Sequence, residues 1–258
     1  MNQDFVVVIP ARFAATRLPG KPLRMLAGKP LIQHVWERAC ESGASEVVVA
    51  TDDQRIFDAA RGFGADVCRT ASSHPSGTDR LAEVAQVRNF DAQRILVNLQ
   101  GDEPLVPPSL IAQVADDLAA AQEAAVATLC TPIHDAAELF DPHAVKVVRD
   151  QRGYALYFSR APIPWDRETF SLAKALSQTV THYRHIGLYA YRAGFLQEYR
   201  NWPACDLERS EALEQLRVLW QGYRIHVGVT QERFAAGVDT EADLARVENA
   251  LLSRNKKS

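Results

Sequence analysis

The chain has 258 residues, of which 47% are hydrophobic and 24% are charged, and its formal net charge is −3 at pH 7. This length and composition suit one large globular α/β domain. The negative balance argues against a general nucleic-acid-binding protein, which would need a basic surface, although a local cluster of arginine and lysine could still bind an anionic small molecule.

The cysteines and the N-terminal sequence restrict the metal chemistry and the location that we expect. The four cysteines are widely spaced and form no CxxC pair, which disfavours a structural zinc site and a disulfide framework. The apolar run that starts at Phe5 ends at Pro10, and it is too short for a signal peptide or a membrane span. We therefore expect a cytoplasmic protein with no membrane partner.

In the first half of the chain, apolar runs of strand length alternate with amphipathic segments. The runs show no polar alternation, as expected of strands covered on both faces, and the segments carry apolar residues at helical spacing. Strands that alternate with helices indicate an α/β fold with a doubly wound, mostly parallel sheet. The predicted order is strand 5–9, helix 31–43, strand 47–50, helix 56–60, strand 95–99 and helix 109–121.

After about residue 132 the alternation changes. Residues 144–165 and 184–192 are predicted to be strands joined by a loop with two prolines, and no helix of normal length precedes Leu207. The doubly wound pattern then resumes with helix 207–223, strand 225–229 and a last helix from Thr240.

These patterns divide a single domain, residues 1–258, into two parts. We interpret residues 132–200 as a smaller inserted lobe that is partly antiparallel, and residues 1–131 and 201–258 as the doubly wound core. No low-complexity linker separates the parts, so the boundary between them is not marked by composition.

Open parallel sheets bind their ligands at the carboxyl ends of the strands, so the loops that follow the predicted strands are candidate sites. The loop after the first strand, residues 10–22, carries Arg12, Arg17 and Lys21, and Gly20 gives its backbone freedom. Exposed amides and cationic side chains suit a polyphosphate; the alternative is a solvated basic loop. The loop matches neither the GxxxxGK[ST] pattern nor the GxGxxG pattern.

Two aspartates lie in other loops of this predicted edge. Asp102 follows the strand 95–99, where a carboxylate could hold Mg²⁺ against substrate phosphates, because Mg²⁺ usually takes only one or two protein carboxylates. Asp239 precedes the last helix and could be a second metal ligand. The structural alternatives are a plain turn at Asp102 and a helix N-cap at Asp239 or Thr240. The spacing does not show that the two aspartates meet.

Residues 76–80 open a predicted helix. Ser76 and Asp79 have the spacing of a capping box, which would be a purely structural role. In the functional alternative, Arg80 and the hydroxyl groups of this segment face a nucleotide.

Taken together, these motifs resemble those of the 3-deoxy-manno-octulosonate cytidylyltransferases, the CMP-Kdo synthetases, over almost the full length of the chain. Each motif is weak or moderate alone, but their order and spacing are highly specific. They are Ile9-Pro10-Ala11-Arg12, Thr16-Arg17-Leu18-Pro19-Gly20-Lys21-Pro22-Leu23, Ser76-Gly77-Thr78, Gln100-Gly101-Asp102-Glu103-Pro104, Tyr157-Phe158-Ser159-Arg160, His185-Ile186-Gly187-Leu188-Tyr189, Leu213-Glu214-Gln215-Leu216-Arg217 and Gly237-Val238-Asp239-Thr240.

The resemblance implies a nucleotide-diphospho-sugar-transferase-like core and a lobe that binds the sugar and forms a homodimer interface. It also implies Mg²⁺ as cofactor, CTP and Kdo as substrates, and no nucleic-acid partner. The implied nucleotide contacts are Ala11, Arg12, Arg17, Lys21, Ser76, Arg80 and Gln100, and the implied metal ligands are Asp102 and Asp239. The implied sugar contacts are Arg160, His185, Tyr189, Glu211 and Gln215, and the implied catalytic residues are Arg12, Lys21, Asp102 and Asp239.

Some of these positions also have structural interpretations. Tyr189 could be a packed aromatic residue and His185 a satisfied core histidine. Glu211 and Gln215, predicted to lie one turn apart on helix 207–223, share a face that could point into a pocket or into water. Ala15 replaces the usual serine of the family, so one hydroxyl contact to phosphate is missing.

The implied reaction is attack of the anomeric hydroxyl of Kdo on the α-phosphorus of CTP, which gives CMP-Kdo and pyrophosphate and activates Kdo for lipopolysaccharide assembly. No enzyme nucleophile is needed, so catalysis would consist of positioning and charge neutralisation. The alternatives are a cytidylyltransferase for another acidic sugar, such as sialic acid or 8-amino-Kdo, and a non-catalytic nucleotide-sugar binding protein. A Rossmann dehydrogenase is disfavoured by the missing glycine fingerprint.

Overall fold

A computed structural model describes residues 4–14, 18–74, 76–172, 175–177, 179–232 and 237–255. The predicted nucleotide contact Arg17 lies outside these residues. The strands are β1 Phe5–Ala11, β2 Met25–Leu26, β3 Lys29–Pro30, β4 Glu46–Thr51, β5 Asp66–Arg69, β6 Ile95–Asn98, β7 Val126–Pro132, β8 Lys146–Arg149, β9 Ala155–Ser159, β10 Tyr183–Arg192 and β11 Ile225–Val229.

The helices of the described residues lie between these strands and after the last one. A short 3-10 helix, Lys21–Leu23, follows β1. The α-helices are α1 Leu31–Cys40, α2 Gln54–Gly62, α3 Gly77–Val87, α4 Pro108–Ala120, α5 Ala136–Phe140, α6 Thr169–Leu172, α7 Ala193–Tyr199, α8 Asp206–Glu211, α9 Gln215–Trp220 and α10 Glu241–Asn255. None of the described helices is long and apolar enough to cross a membrane.

The main sheet has the strand order β11-β7-β10-β6-β1-β4-β5. β1 pairs in parallel with β4 and β6, β4 with β5, and β7 with β11, whereas β10 is antiparallel to both of its neighbours. All strands of this path except β10 therefore run in one direction. The predicted doubly wound, mostly parallel sheet is confirmed, and the antiparallel β8–β9 hairpin extends it through β10.

The two faces of the sheet are both covered, which explains the uninterrupted apolar sequence of β1. Val7 faces one core cluster, where it is joined by Leu31 of α1 and Leu110 of α4. Its neighbour Val8 faces the other cluster, together with Leu81 of α3. Successive residues of a strand point to opposite sides of the sheet. Neighbouring residues of β1, such as Val7 and Val8, are therefore both apolar.

One boundary of the sequence interpretation differs from the structure. Residues 183–192 fall within the range 132–200 that we predicted to be an inserted lobe, yet they form β10, which lies in the centre of the main sheet between β6 and β7. A strand's neighbours depend on pairing with distant segments, which its own sequence does not specify. The division of the rest of the chain into core and lobe stays a prediction.

The prediction of a single helix over 207–223 is wrong, because two short helices, α8 and α9, lie there instead. Between them Ala212 adopts a left-handed conformation with φ 51° and ψ 50°. This break lets Glu211 bind the end of β9 while Leu213 enters the core. Glu211 and Gln215 therefore lie on different helices and do not share a helical face.

Candidate functional site

The loop after β1 closes on itself and places Lys21 at the edge of the sheet. The amide of Gly20 donates to the carbonyl oxygen of Phe13 at 3.2 Å, and Gly20 has a φ of 68°. This left-handed conformation favours glycine because it has no Cβ. The turn starts the 3-10 helix at Lys21 and directs its side chain across the carboxyl ends of the central strands.

Lys21 joins the two aspartates that we predicted as metal ligands. Its Nζ donates to Asp102 Oδ2 at 2.7 Å, to Asp239 Oδ1 at 3.1 Å and to the carbonyl oxygen of Val238 at 2.9 Å. Burial lowers the pKa of Lys21, but the carboxylates of Asp102 and Asp239 outweigh this effect, so its pKa is raised. The structure thus brings both carboxylates to one point beside the basic loop.

Close backbone packing holds these segments together. A Cβ atom on Gly101 would lie 2.9 Å from the carbonyl oxygen of Pro10, and one on Gly237 would lie 3.1 Å from the carbonyl oxygen of Asp102. The amide of Val238 donates to the same oxygen of Asp102 at 2.8 Å. The two glycines therefore permit the three loops to meet where any larger residue would separate them.

Arg12 and Ser76 lie together at the start of α3. The guanidinium Nη2 of Arg12 donates to the carbonyl oxygens of His74 at 2.6 Å and Ser76 at 3.0 Å. The hydroxyl of Ser76 accepts from the amide of Asp79 at 3.2 Å and donates to its carboxylate at 2.7 Å. The side chain of Ser76 thus has the N-capping role that the sequence offered as its structural alternative.

Arg80 lies apart from the crevice. Its side chain is fully buried, forms an ion pair with Asp52 at 2.9 Å and donates to the hydroxyl of Thr70. Burial lowers the pKa of Arg80, and the nearby Asp52 opposes this shift. The structure therefore gives Arg80 a buried structural partner and does not place it among the residues that line the crevice.

Two adjoining cavities open at this edge of the sheet, and they share Gly77 and Gln100. The first, which we call the lysine crevice, has a volume of about 190 Å³, and the second, the tyrosine chamber, about 290 Å³. The lysine crevice is lined by Pro10, Ala11, Arg12, Ala14, Lys21, Pro22, Gly77, Gln100, Gly101 and Asp102. The tyrosine chamber is lined by Gly77, Thr78, Asn98, Gln100, Val126, Tyr189, Tyr191, Tyr199, Ala212, Leu213, Glu214, Gln215 and Val218.

The tyrosine chamber contains polar groups that the sequence analysis did not single out. Asn98 and Glu214 line it together with the predicted Tyr189 and Gln215. Burial raises the pKa of Glu214 and holds that of Tyr189 well above its ordinary value. The signal for Asn98 was present in the sequence, since it is a polar residue at the end of the otherwise apolar β6.

Arg160 and Glu211, two of the predicted sugar contacts, bind each other. The backbone amide of Arg160 donates to Glu211 Oε2 at 2.9 Å, and its Nε donates to the carbonyl oxygen of Glu211 at 2.7 Å. Ser159 donates to Glu211 Oε1 at 2.6 Å. The Nζ of the buried Lys146 in β8 donates to the carbonyl oxygen of Arg160 at 2.6 Å. Glu211 directly precedes Ala212, which lines the tyrosine chamber.

His185 belongs to a third cavity of about 280 Å³, which also contains Glu103 and Arg184. Its Nε2 lies 2.9 Å from the hydroxyl of Thr128, and its ring centroid lies 5.4 Å from that of Tyr189. Burial lowers the pKa of His185 to about 3, while burial and the neighbouring Asp102 raise that of Glu103 to about 8. The five predicted sugar contacts thus lie in three adjacent places.

Comparison with known proteins gives a consistent result. A profile of the family described as "Cytidylyltransferase" matches residues 6–225. The chain is 58% identical over 244 residues to a 3-deoxy-manno-octulosonate cytidylyltransferase of Coxiella burnetii (strain RSA 493 / Nine Mile phase I), covering 95% of this chain and 98% of that one. It is 59% identical over 253 residues to the protein of that name from Aeromonas hydrophila, covering 96% and 99%.

Two solved structures are similar in fold. One is CMP:2-keto-3-deoxy-manno-octonic acid synthetase complexed with CTP, with a TM-score of 0.88 and 42% identity over 98% of this chain and 100% of that one. The other is a nucleotidyl transferase from Methanothermobacter, with a TM-score of 0.59 and 15% identity over 97% and 99%. At that identity the second likeness concerns the fold alone.

Proposed function

The chain belongs to the 3-deoxy-manno-octulosonate cytidylyltransferase family, and on this premise we propose how its site transfers CMP from CTP to Kdo. The observation that carries the proposal is the convergence of Lys21, Asp102 and Asp239 beside Arg12 at the carboxyl edge of the sheet. The oxygen of the anomeric hydroxyl of Kdo forms a bond to the α-phosphorus, and the bond from that phosphorus to the oxygen bridging it to the β-phosphate breaks. The proton of the hydroxyl group is released to solvent, and the products are CMP-Kdo and pyrophosphate.

The lysine crevice is suited to the triphosphate. Arg12 and Lys21 bring two cationic side chains to its wall, and Ala11, the last residue of the central strand β1, also lines it. These cations would neutralise the charge that builds up on the departing pyrophosphate, which is the main contribution of such groups to phosphoryl transfer. Gln100 lines both cavities, which supports a contact with each substrate.

The residues around Lys21 fit a divalent cation that is held mainly by the substrate. Asp102 and Asp239 converge, and within the described residues no group of three or more His, Cys, Asp or Glu could hold a metal ion by itself. Two carboxylates are the usual protein contribution to a Mg²⁺ site that phosphates and water complete. When bound, Mg²⁺ would orient the phosphates and lower the pKa of the attacking hydroxyl.

Lys21 must change partners during this reaction. Its ammonium group pairs with both Asp102 and Asp239 and so holds the two carboxylates together. When a triphosphate enters the crevice, the same ammonium can turn toward phosphate oxygens and leave the two carboxylates for a cation. The flexible stem of lysine suits such an exchange.

The tyrosine chamber and its neighbours are suited to the acidic sugar. Tyr189 and Gln215 line the chamber, and the Arg160–Glu211 pair lies directly beside Ala212 in its wall. Arg160 supplies a positive charge for the sugar carboxylate. We further propose that the protein acts in the cytoplasm and that it is a homodimer. Sedimentation of the purified chain would test the homodimer.

The experiment is pyrophosphate release by the purified protein with CTP and Mg²⁺, comparing Kdo, 8-amino-Kdo and sialic acid. We expect kcat/KM to be highest for Kdo, by roughly tenfold or more over the other two sugars, because a site built around substrate hydroxyls rejects analogues that leave its groups unpaired. Faster turnover of sialic acid or 8-amino-Kdo would favour another sugar as substrate. Absence of pyrophosphate release with all three would contradict an enzymatic function.

A further inference from the structure

Asn98 occupies a position that the architecture of the sheet would otherwise give to an apolar residue. It is the last residue of β6, and it pairs in register with Val8 of β1 and with Tyr189 of β10. Leu96, two residues earlier and therefore on the same face, is fully buried, and so is Val8. Packing against apolar neighbours such as Leu96 and Val8 does not explain a polar side chain at this position.

The side-chain oxygen of Asn98 is buried, but the residues that the structure describes do not satisfy it. The residue is only 2% exposed, and within the described part of the chain Oδ1 forms no hydrogen bond. Leaving a buried amide oxygen unsatisfied typically costs about 1–3 kcal/mol. Asn98 lines the tyrosine chamber, so a ligand in that chamber can supply the missing donor.

A second amide side chain of the chamber lacks an acceptor rather than a donor. Gln215 is 8% exposed, and its Nε2 is a buried donor with no hydrogen-bond partner among the described residues. A ligand that satisfies both residues must donate to Asn98 and accept from Gln215. Hydroxyl groups do both, whereas a phosphate or a carboxylate has no hydrogen to donate.

The charge of the chamber points in the same direction. The described residues that line it include no lysine or arginine, and they do include the carboxylate of Glu214. The cations lie elsewhere, in the lysine crevice and at Arg160. A neutral, hydroxyl-bearing part of a substrate therefore fits the chamber better than its charged part does.

We infer that Asn98 is a specificity-determining residue whose Oδ1 accepts a hydrogen bond from a hydroxyl group of the sugar, and that the tyrosine chamber takes the uncharged polyol part of that sugar. The inference rests on the proposed function, since it assigns part of the same site. On this assignment the sugar binds with its hydroxyl groups between Asn98 and Gln215 and with its carboxylate outside the chamber.

The test is steady-state kinetics of Asn98→Leu, which keeps the approximate size and removes the oxygen. We expect the KM for Kdo to rise roughly 3- to 10-fold, the cost of one hydrogen bond to an uncharged group, while the KM for CTP stays unchanged. The melting temperature should stay the same or rise, because a buried unsatisfied group is removed. If the leucine variant does not fold, Asn98→Ser should raise the KM for Kdo similarly, because the serine side chain is too short to bring its oxygen to the same point.

The matched control is Asp117→Asn in α4. Asp117 Oδ2 is another buried oxygen without a hydrogen-bond partner in the described residues, but it lies against Gly228, and Asp117 does not line the chamber. This variant should leave both KM values unchanged. An unchanged KM for Kdo in an active Asn98→Leu protein would overturn the inference, and a rise in the KM for CTP would assign the chamber to the nucleotide. Inactivity of the wild-type protein would instead contradict the proposed function.

Discussion

The lysine crevice and the tyrosine chamber adjoin each other, but they differ in how their polar groups are satisfied before a substrate binds. In the crevice, Lys21 is hydrogen-bonded to Asp102, Asp239 and a backbone carbonyl at the same time. In the chamber, Asn98 and Gln215 each keep a buried amide atom without a hydrogen-bond partner in the described residues.

The difference follows from the cost of burying each kind of group. An unpaired charge costs more to bury than an unpaired amide. The side chain of Lys21 is only 16% exposed and is neutralised by Asp102 and Asp239, which are 30% and 45% exposed, whereas the amides are left for the ligand. Substrate entering the crevice must therefore exchange existing ion pairs, which yields little net binding energy. Substrate entering the chamber adds hydrogen bonds that the described residues do not supply. On this view the crevice serves the reaction, and the chamber serves recognition.

The largest effect is expected when the crevice loses a carboxylate. Asp102→Asn should keep the fold, because Lys21 still pairs with Asp239, but kcat should fall by about 10²–10³ or more, as for the loss of one preorganised electrostatic contact. Pyrophosphate release at saturating CTP and Kdo measures this. The matched control is Asp116→Asn, which changes an exposed carboxylate of α4 and should have normal turnover. Near-normal turnover of Asp102→Asn would refute the assignment of the crevice to catalysis.

Removing the ammonium group of Lys21 takes away the cation that Asp102 and Asp239 share. We expect Lys21→Met to lower kcat about 10²-fold and to bind Mn²⁺ roughly 3- to 10-fold more tightly without nucleotide, since the ammonium group of Lys21 no longer competes for Asp102 and Asp239. Calorimetric titration with Mn²⁺ measures the second effect. Lys29→Met, which breaks a half-buried pair with Glu37 away from the crevice, is the control. Weaker or unchanged Mn²⁺ affinity would show that Lys21 does not occupy the cation position.

The smallest effect concerns the backbone contact beneath the crevice. Gly101→Ala places a Cβ 2.9 Å from the carbonyl oxygen of Pro10, so the two loops must separate. We expect the free energy of unfolding to fall by about 1–3 kcal/mol, measured by urea denaturation. Gly62→Ala is the control, because a Cβ there meets nothing within 4 Å at the end of α2, and it should stabilise the protein by about 0.5–1 kcal/mol. Equal stability of the two variants would contradict a tight contact at Gly101.

The sequence alone predicted the parts of this protein that depend on local pattern. Uninterrupted apolar runs such as that of β1 indicate that both faces of the sheet are covered, and helical spacing between the runs indicates a doubly wound fold. The rule that ligands bind at the carboxyl ends of parallel strands then directed attention to the loops that carry Lys21 and Asp102. The resemblance to cytidylyltransferases rests on residues in the same loops.

Which of these residues meet depends on the folded chain and could not be predicted from local sequence. Lys21 lies 81 residues from Asp102 and 218 from Asp239 along the chain, and no local pattern encodes contacts over such distances. The same reason explains why Arg80 is buried against Asp52, and why the helix predicted over 207–223 breaks at Ala212. Propensity and periodicity act over a few residues, whereas burial, ion pairing and the approach of two backbones depend on segments that only the folded chain brings together.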